Sequence, residues 1–156
     1  MKKMTILALL SALLFQFCSA EDFFESQMIK KSFMIAKSTK SYAEAKKFAL
    51  NLATKSDIKL DLGELHPSKK IGLTHTAQMC QNNQYDFPCY LARGRYDDGV
   101  YISIEYSDAY SGFSKGYYIV VVASGEKVDK KLLNRVKKYV PDAYVKNTAV
   151  YMGCMH

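Results

Sequence analysis

The stretch "VYISIEY" (100–106) alternates Val100, Ile102, Ile104 and Tyr106 on one strand face with Tyr101, Ser103 and Glu105 on the other. Glu105 on the polar face, with Asp97 and Asp98 just upstream, has the residue types of the paired carboxylates that cleave glycosidic bonds. A plainer reading competes with it: Asp97-Asp98-Gly99 between apolar runs turns the chain, and Arg93 and Arg95 balance its charge. Binding is the stronger expectation. The sequence holds 12 Tyr and no Trp, with many of the tyrosines between Tyr85 and Tyr118. A tyrosine ring can stack on a sugar while its hydroxyl serves the polar rim, although β-rich proteins also use Tyr half-buried at sheet edges. Tyr101, Ser103 and Glu105 are therefore the candidate lining of a glycan groove.

Cysteine and histidine offer less. Cys80 and Cys89 are the natural disulfide pair, closing the loop "CQNNQYDFPC", and a loop of this size stabilises a fold by about 2–3 kcal/mol. Cys154 is left as a free thiol or as the true partner of one of them, and both connectivities stay open. A thiol spent in a disulfide is no nucleophile for His66, His75 or His156. Cys154 and His156 have metal-ligand chemistry but no companion pair at recognisable spacing, so neither a metal nor another cofactor is expected. The stapled loop and its flank carry Tyr85, Phe87 and Tyr90, a preorganised set suited to a periplasmic protein-binding module such as an inhibitor or immunity protein.

The ends and the charge set the compartment. Lys2 and Lys3 precede the apolar run "MTILALLSALLFQF", and "CSA" supplies small residues before a cut after Ala20, the pattern of a secretory signal. Acylation of Cys18 is the rival reading and the only route to a membrane. Removing Lys2 and Lys3 lowers the net charge from +7 to +5. The remaining lysines come largely as helix-face pairs (Lys46-Lys47, Lys130-Lys131, Lys137-Lys138), a solvated pattern that does not predict a nucleic-acid partner. The expected product is periplasmic or secreted, with residues 21–156 as one domain.

Two strand-to-helix units organise that domain. "SFMIAKSTKSYAEAKKFALNLATK" (32–55) gives a strand and then a helix opened by the capping box "SYAE". Its buried stripe is Ala45, Phe48, Ala49, Leu52 and Ala53. "DIKLDL" (57–62) reads as a second strand, so the first β-α-β covers 32–62. Residues 63–98 form a long insertion, and 100–106 an extra strand. "YYIVVVASGEKVDKKLLNRVKKYV" (117–140) repeats the pattern. Its strand is apolar on both faces and hence central, Leu132, Leu133, Val136 and Val140 form the helix stripe, and a final strand completes a second β-α-β over 117–151. The predicted class is α+β, an antiparallel sheet with two helices on one face.

The matching stretches "FMIAKS" and "VVVASG", each followed by a helix that buries Ala45 or Leu132, resemble the SPOR family, the sporulation-related repeat domains of bacterial envelope proteins. Ala36 and Ala123 stand where that family has glycine. The resemblance implies a ferredoxin-like fold of two β-α-β halves. It also implies non-catalytic binding of peptidoglycan glycan strands stripped of stem peptides, on the sheet face away from the helices. Lys37 and Ser124, at the ends of the two motif strands, would then join Tyr101, Ser103 and Glu105 in the site.

Overall fold

The computed structural model describes residues 27–95 and 97–153. The signal sequence with Cys18 and Ala20 lies outside the described residues, as do Cys154 and His156. The elements are β1 (Met28–Thr39), α1 (Tyr42–Ser56), β2 (His66–Ser68), β3 (Gly72–Thr74), α2 (Ala77–Asn82), β4 (Gly99–Tyr106), β5 (Tyr118–Gly125), α3 (Lys130–Lys137) and β6 (Tyr144–Tyr151). The main sheet has four strands in the order β4-β5-β1-β6, and every neighbouring pair is antiparallel. β2 and β3 form a separate two-stranded hairpin. The α+β class is as expected.

The apolar pattern dictates this layering. Met34, Ile102, Ile104, Val120 and Val122 point to one face, where they pack with Ala45, Ala49 and Leu52 of α1 and Leu132 and Val136 of α3. Phe33, Ile35, Ile119, Val121 and Val150 point to the other, where Tyr110 lies against them. β5 is buried from Ile119 to Ser124, which accounts for its two apolar faces. Small alanines on α1 let that helix approach the sheet closely, and burial of such stripes supplies most of a helix's stability. Only half of the expected capping box forms. Ser41 Oγ accepts from the Glu44 amide at 3.3 Å, but the Glu44 carboxylate accepts from the Thr39 hydroxyl at 2.6 Å. Thr39 Oγ1 in turn takes the Ser41 amide at 3.2 Å.

The strand expected over 57–62 is corrected by the topology. That stretch makes a single parallel bridge, Leu60 to Ile102, along the outer edge of β4. Ile102 donates to the Lys59 carbonyl at 2.7 Å and Asp61 donates to the Ile102 carbonyl at 2.8 Å. β4, expected as an extra strand, instead completes the first split β-α-β: it pairs antiparallel with β5, which lies between it and β1. The insertion wraps the β4 edge. Ile58 and Leu73 add to the helix-side core, whereas Ala92 packs on the opposite face.

Two segments cover that opposite face. Residues 90–95 approach β1 so closely that a Cβ at Gly94, whose φ is +87°, would lie 2.8 Å from the Phe33 ring. The β4–β5 connection crosses to the far edge, setting Tyr110 5.0 Å from Phe33 and carrying Ser111 to β6. There Ser111 Oγ takes the Ala149 amide at 3.2 Å, and its carbonyl accepts from Thr148 Oγ1. The two edges of the sheet are thus both partly capped, which blunts strand addition.

Cys80 and Cys89 form a disulfide with Cα atoms 5.7 Å apart. The Cys89 carbonyl accepts from the His75 amide at 2.9 Å and from Thr74 Oγ1 at 3.1 Å, so the staple ties α2 to the hairpin. Replacing both cysteines with serine should lower the unfolding free energy by about 2–3 kcal/mol in urea melts, with the far-ultraviolet spectrum preserved.

Candidate functional site

Arg93 is the organising side chain at the β4 edge, and only 2% of it is exposed. Its Nε donates to Ser124 Oγ at 3.0 Å, and one terminal nitrogen donates to the Tyr101 carbonyl and Ser103 Oγ, both at 2.9 Å. The other donates to the Gly99 carbonyl at 2.9 Å. The guanidinium also stacks on Tyr101, 3.5 Å from its ring centroid. This fork of donors suits a planar guanidinium and no other side chain.

Glu105, 3% exposed, is the second buried charge. Its Oε1 accepts from Ser103 Oγ at 2.8 Å. Its Oε2 accepts from the Tyr90 hydroxyl, the Tyr110 hydroxyl at 3.1 Å and the Arg93 amide at 3.3 Å. Ser103 therefore bridges cation and anion. Burial pushes the Glu105 carboxyl above its ordinary value, opposed by Tyr90, Ser103 and Arg93. Burial, then the Glu105 charge, also pushes the Tyr90 and Tyr110 hydroxyls well up.

A cavity of about 320 Å³ opens beside this network, with Tyr101, Ser103 and Glu105 in its wall together with Arg93, Asp97 and Asp61. Tyr101 donates to the Asp97 carboxylate, and burial followed by that bond raises its hydroxyl pKa. His75 also lines the cavity, and burial holds its imidazole below the ordinary value. A second cleft, of about 220 Å³, lies on the uncovered part of the sheet face away from the helices. Ser38, Phe113, Tyr117, Tyr144 and Lys146 line it. Lys146 Nζ stands 4.6 Å from the Phe113 ring centroid and Lys40 Nζ 5.5 Å from that of Tyr117. Neither lysine makes an ion pair among the described residues.

Of the five residues expected to line a glycan groove, four gather here. Ser103, Glu105 and Ser124 are buried and tied to Arg93, so they form no open groove; the insertion covers them. Tyr101 keeps a half-exposed ring. Lys37 goes elsewhere, with its ammonium 6.0 Å from the Phe48 ring of α1. In the stapled loop, Tyr85 and Phe87 are exposed, by 40% and 59%, but Tyr90 turns inward to Glu105. Asp98 pairs with Lys31 of β1, so the "DDG" turn is also a tether. Arg93 itself escaped the sequence reading because "RGRYDDG" has the composition of a solvated turn.

No family model, curated protein or solved structure matches the chain. Among the described residues no helix is long and apolar enough to cross a membrane.

Arg93→Met should cost about 3–5 kcal/mol in denaturant melts, because it strands the Glu105 charge. Glu105 also leaves a pH signature. A folded pKa above the ordinary carboxyl value means that the native state gains stability as pH falls from the folded value towards the ordinary one. The thermal midpoint of the native protein minus that of Glu105→Gln should therefore be more positive at pH 5 than at pH 7. A flat or opposite trend in calorimetry would contradict the assignment.

Proposed function

We propose that the chain is an exported, non-catalytic module of the bacterial cell envelope that binds peptidoglycan glycan in the cleft on its open sheet face. The observation carrying this reading is the lining itself: three aromatic side chains, three serines and Lys146 around a saccharide-sized space. Aromatic walls favour sugar rings. Lys146 and Lys40 favour a carboxylate, which glycan exposes on its muramic residues once the stem peptides are removed. The resemblance to SPOR repeats supports the same ligand and the same sheet face. The site residues differ from the first expectation: the ligand would meet Tyr117, Tyr144 and Lys146 rather than Ser103 and Glu105.

A hydrolase built on Glu105 fits the geometry less well. General acid catalysis needs a carboxyl that offers its proton to the substrate. Oε2 of Glu105 takes three protein donors and Oε1 takes Ser103, itself held by Arg93. The exposed Tyr85 and Phe87 support a second reading, a protein-binding module that uses the stapled loop as its probe.

Sedimentation with amidase-treated sacculi separates these readings. The native protein should pellet, and Tyr144→Ala with Lys146→Glu should weaken pelleting by about tenfold. Tyr85→Ala with Phe87→Ala should pellet like the native chain. Absence of pelleting, or loss only in the loop variant, would overturn the glycan site.

A further inference from the structure

We propose that the helix layer is a docking surface for an anionic phospholipid bilayer, on which the domain lies with its sheet-face cleft turned outward. The proposal stands whether or not that cleft takes glycan, and it needs no acyl chain on Cys18.

Charge is partitioned unevenly in this fold. Segments 42–56 and 127–142, which form α1 and α3 with their flanks, carry nine Lys and Arg but three Asp and Glu. The remaining described residues are nearly balanced, at eleven to nine. Burial fixes where the excess points. Ala45, Ala49 and Leu52 of α1 and Leu132 and Val136 of α3 face the sheet, which leaves Lys46, Lys47, Lys131, Arg135 and Lys138 exposed on the outer side. None of the nine cations forms an ion pair among the described residues. Two of the layer's three carboxylates serve the helix starts: Asp129 accepts the Lys131 amide at 2.9 Å, and Glu44 accepts from the Thr39 hydroxyl. Lysine pairs that are separate in sequence thus become one cationic layer when the helices dock.

Two exposed apolar side chains choose between anionic partners. Leu50 lies one helical turn past Lys46 and Lys47, and Tyr139 stands just past α3; both are exposed. A soluble polyanion gains little from them. At a bilayer a leucine enters the acyl boundary, a tyrosine sits at headgroup level, and lysine stems lie along apolar surface with their ammonium groups at the phosphates. Each lysine near an anionic leaflet adds to the attraction, and apolar contact holds what charge brings in. The cleft with Tyr117 and Tyr144 lies across the sheet from this layer, so docking leaves it open to solvent.

Vesicle sedimentation tests the surface, using the chain from residue 21 so that the apolar leader cannot itself bind lipid. The protein should pellet with vesicles of phosphatidylglycerol and phosphatidylcholine in equal parts, not with phosphatidylcholine alone. Raising sodium chloride from about 0.05 to about 0.5 M should release it. Lys46→Glu with Lys47→Glu, and Lys131→Glu with Arg135→Glu, should each weaken pelleting by at least about tenfold, with the far-ultraviolet spectrum unchanged. Lys69→Glu with Lys70→Glu, the same charge change on the exposed β2–β3 turn, should stay within about twofold of the native protein. Leu50→Ser should weaken pelleting by about threefold while leaving binding to soluble polyphosphate unchanged. Four results would each overturn the bilayer surface: no pelleting, equal pelleting with phosphatidylcholine alone, an equal loss in the turn variant, or no effect of Leu50→Ser. The last would mark a site for soluble polyanions instead.

Discussion

A single buried guanidinium ties this fold together. Arg93 spans β4 and β5 through Gly99, Tyr101, Ser103 and Ser124, and its charge is answered across Ser103 by Glu105. An arginine out of water is tolerable only when nearly every donor finds an acceptor and a counter-charge stands close by. The residues that follow extend the tether. Asp98 pairs with Lys31 of β1, and Arg95 Nε donates to the Met152 carbonyl just past β6 at 3.0 Å. One short segment therefore contacts the edge, both central strands and the far end of the sheet. Such a lashing fixes the insertion as part of the domain.

That lashing divides the molecule's surface. A two-layer α+β domain leaves one sheet face bare, and a bare face must be solvated, covered or used. Here residues 90–95 and the β4–β5 connection cover most of it with Ala92, Gly94 and Tyr110. The remainder is a cleft among Phe113, Tyr117, Tyr144 and Lys146. The same covering shapes the edge cavity, whose lining combines Lys59, Asp61 and Leu62 with Leu91, Arg93 and Asp97. Two small concavities of opposite electrostatic character remain on this side, a basic aromatic cleft and an acceptor-rich edge cavity.

The disulfide belongs to the same device. Cys89 immediately precedes Tyr90, whose hydroxyl both donates to Glu105 and accepts the Tyr106 amide at 3.1 Å. Fixing Cys89 against α2 thus positions the Tyr90 donor at the buried carboxylate, while Tyr85 and Phe87 project from the other end of the loop. The staple therefore links the exposed part of the loop to the buried polar network of the domain.

Local chemistry made much of this legible beforehand. The alternation in "VYISIEY" set Tyr101, Ser103 and Glu105 on one strand face, opposite Ile102 and Ile104. The doubly apolar "YIVVVA" gave a central strand, the stripe from Ala45 to Leu52 gave the buried helix face, and cysteine spacing gave the staple. Each depends on a short-range period, cap or loop closure. What covers that face could not be read in this way. Arg93 and Asp98 have the composition of an exposed turn, the 57–62 alternation looks like any half-buried strand, and Tyr90 looks like its exposed neighbours. Their roles depend on groups far away in sequence, such as Ser124, Lys31, Ile102 and Glu105. The sequence by itself determined which faces are apolar. Only the tertiary structure decided which polar residues would be buried, because that depends on partners the chain brings together when it folds.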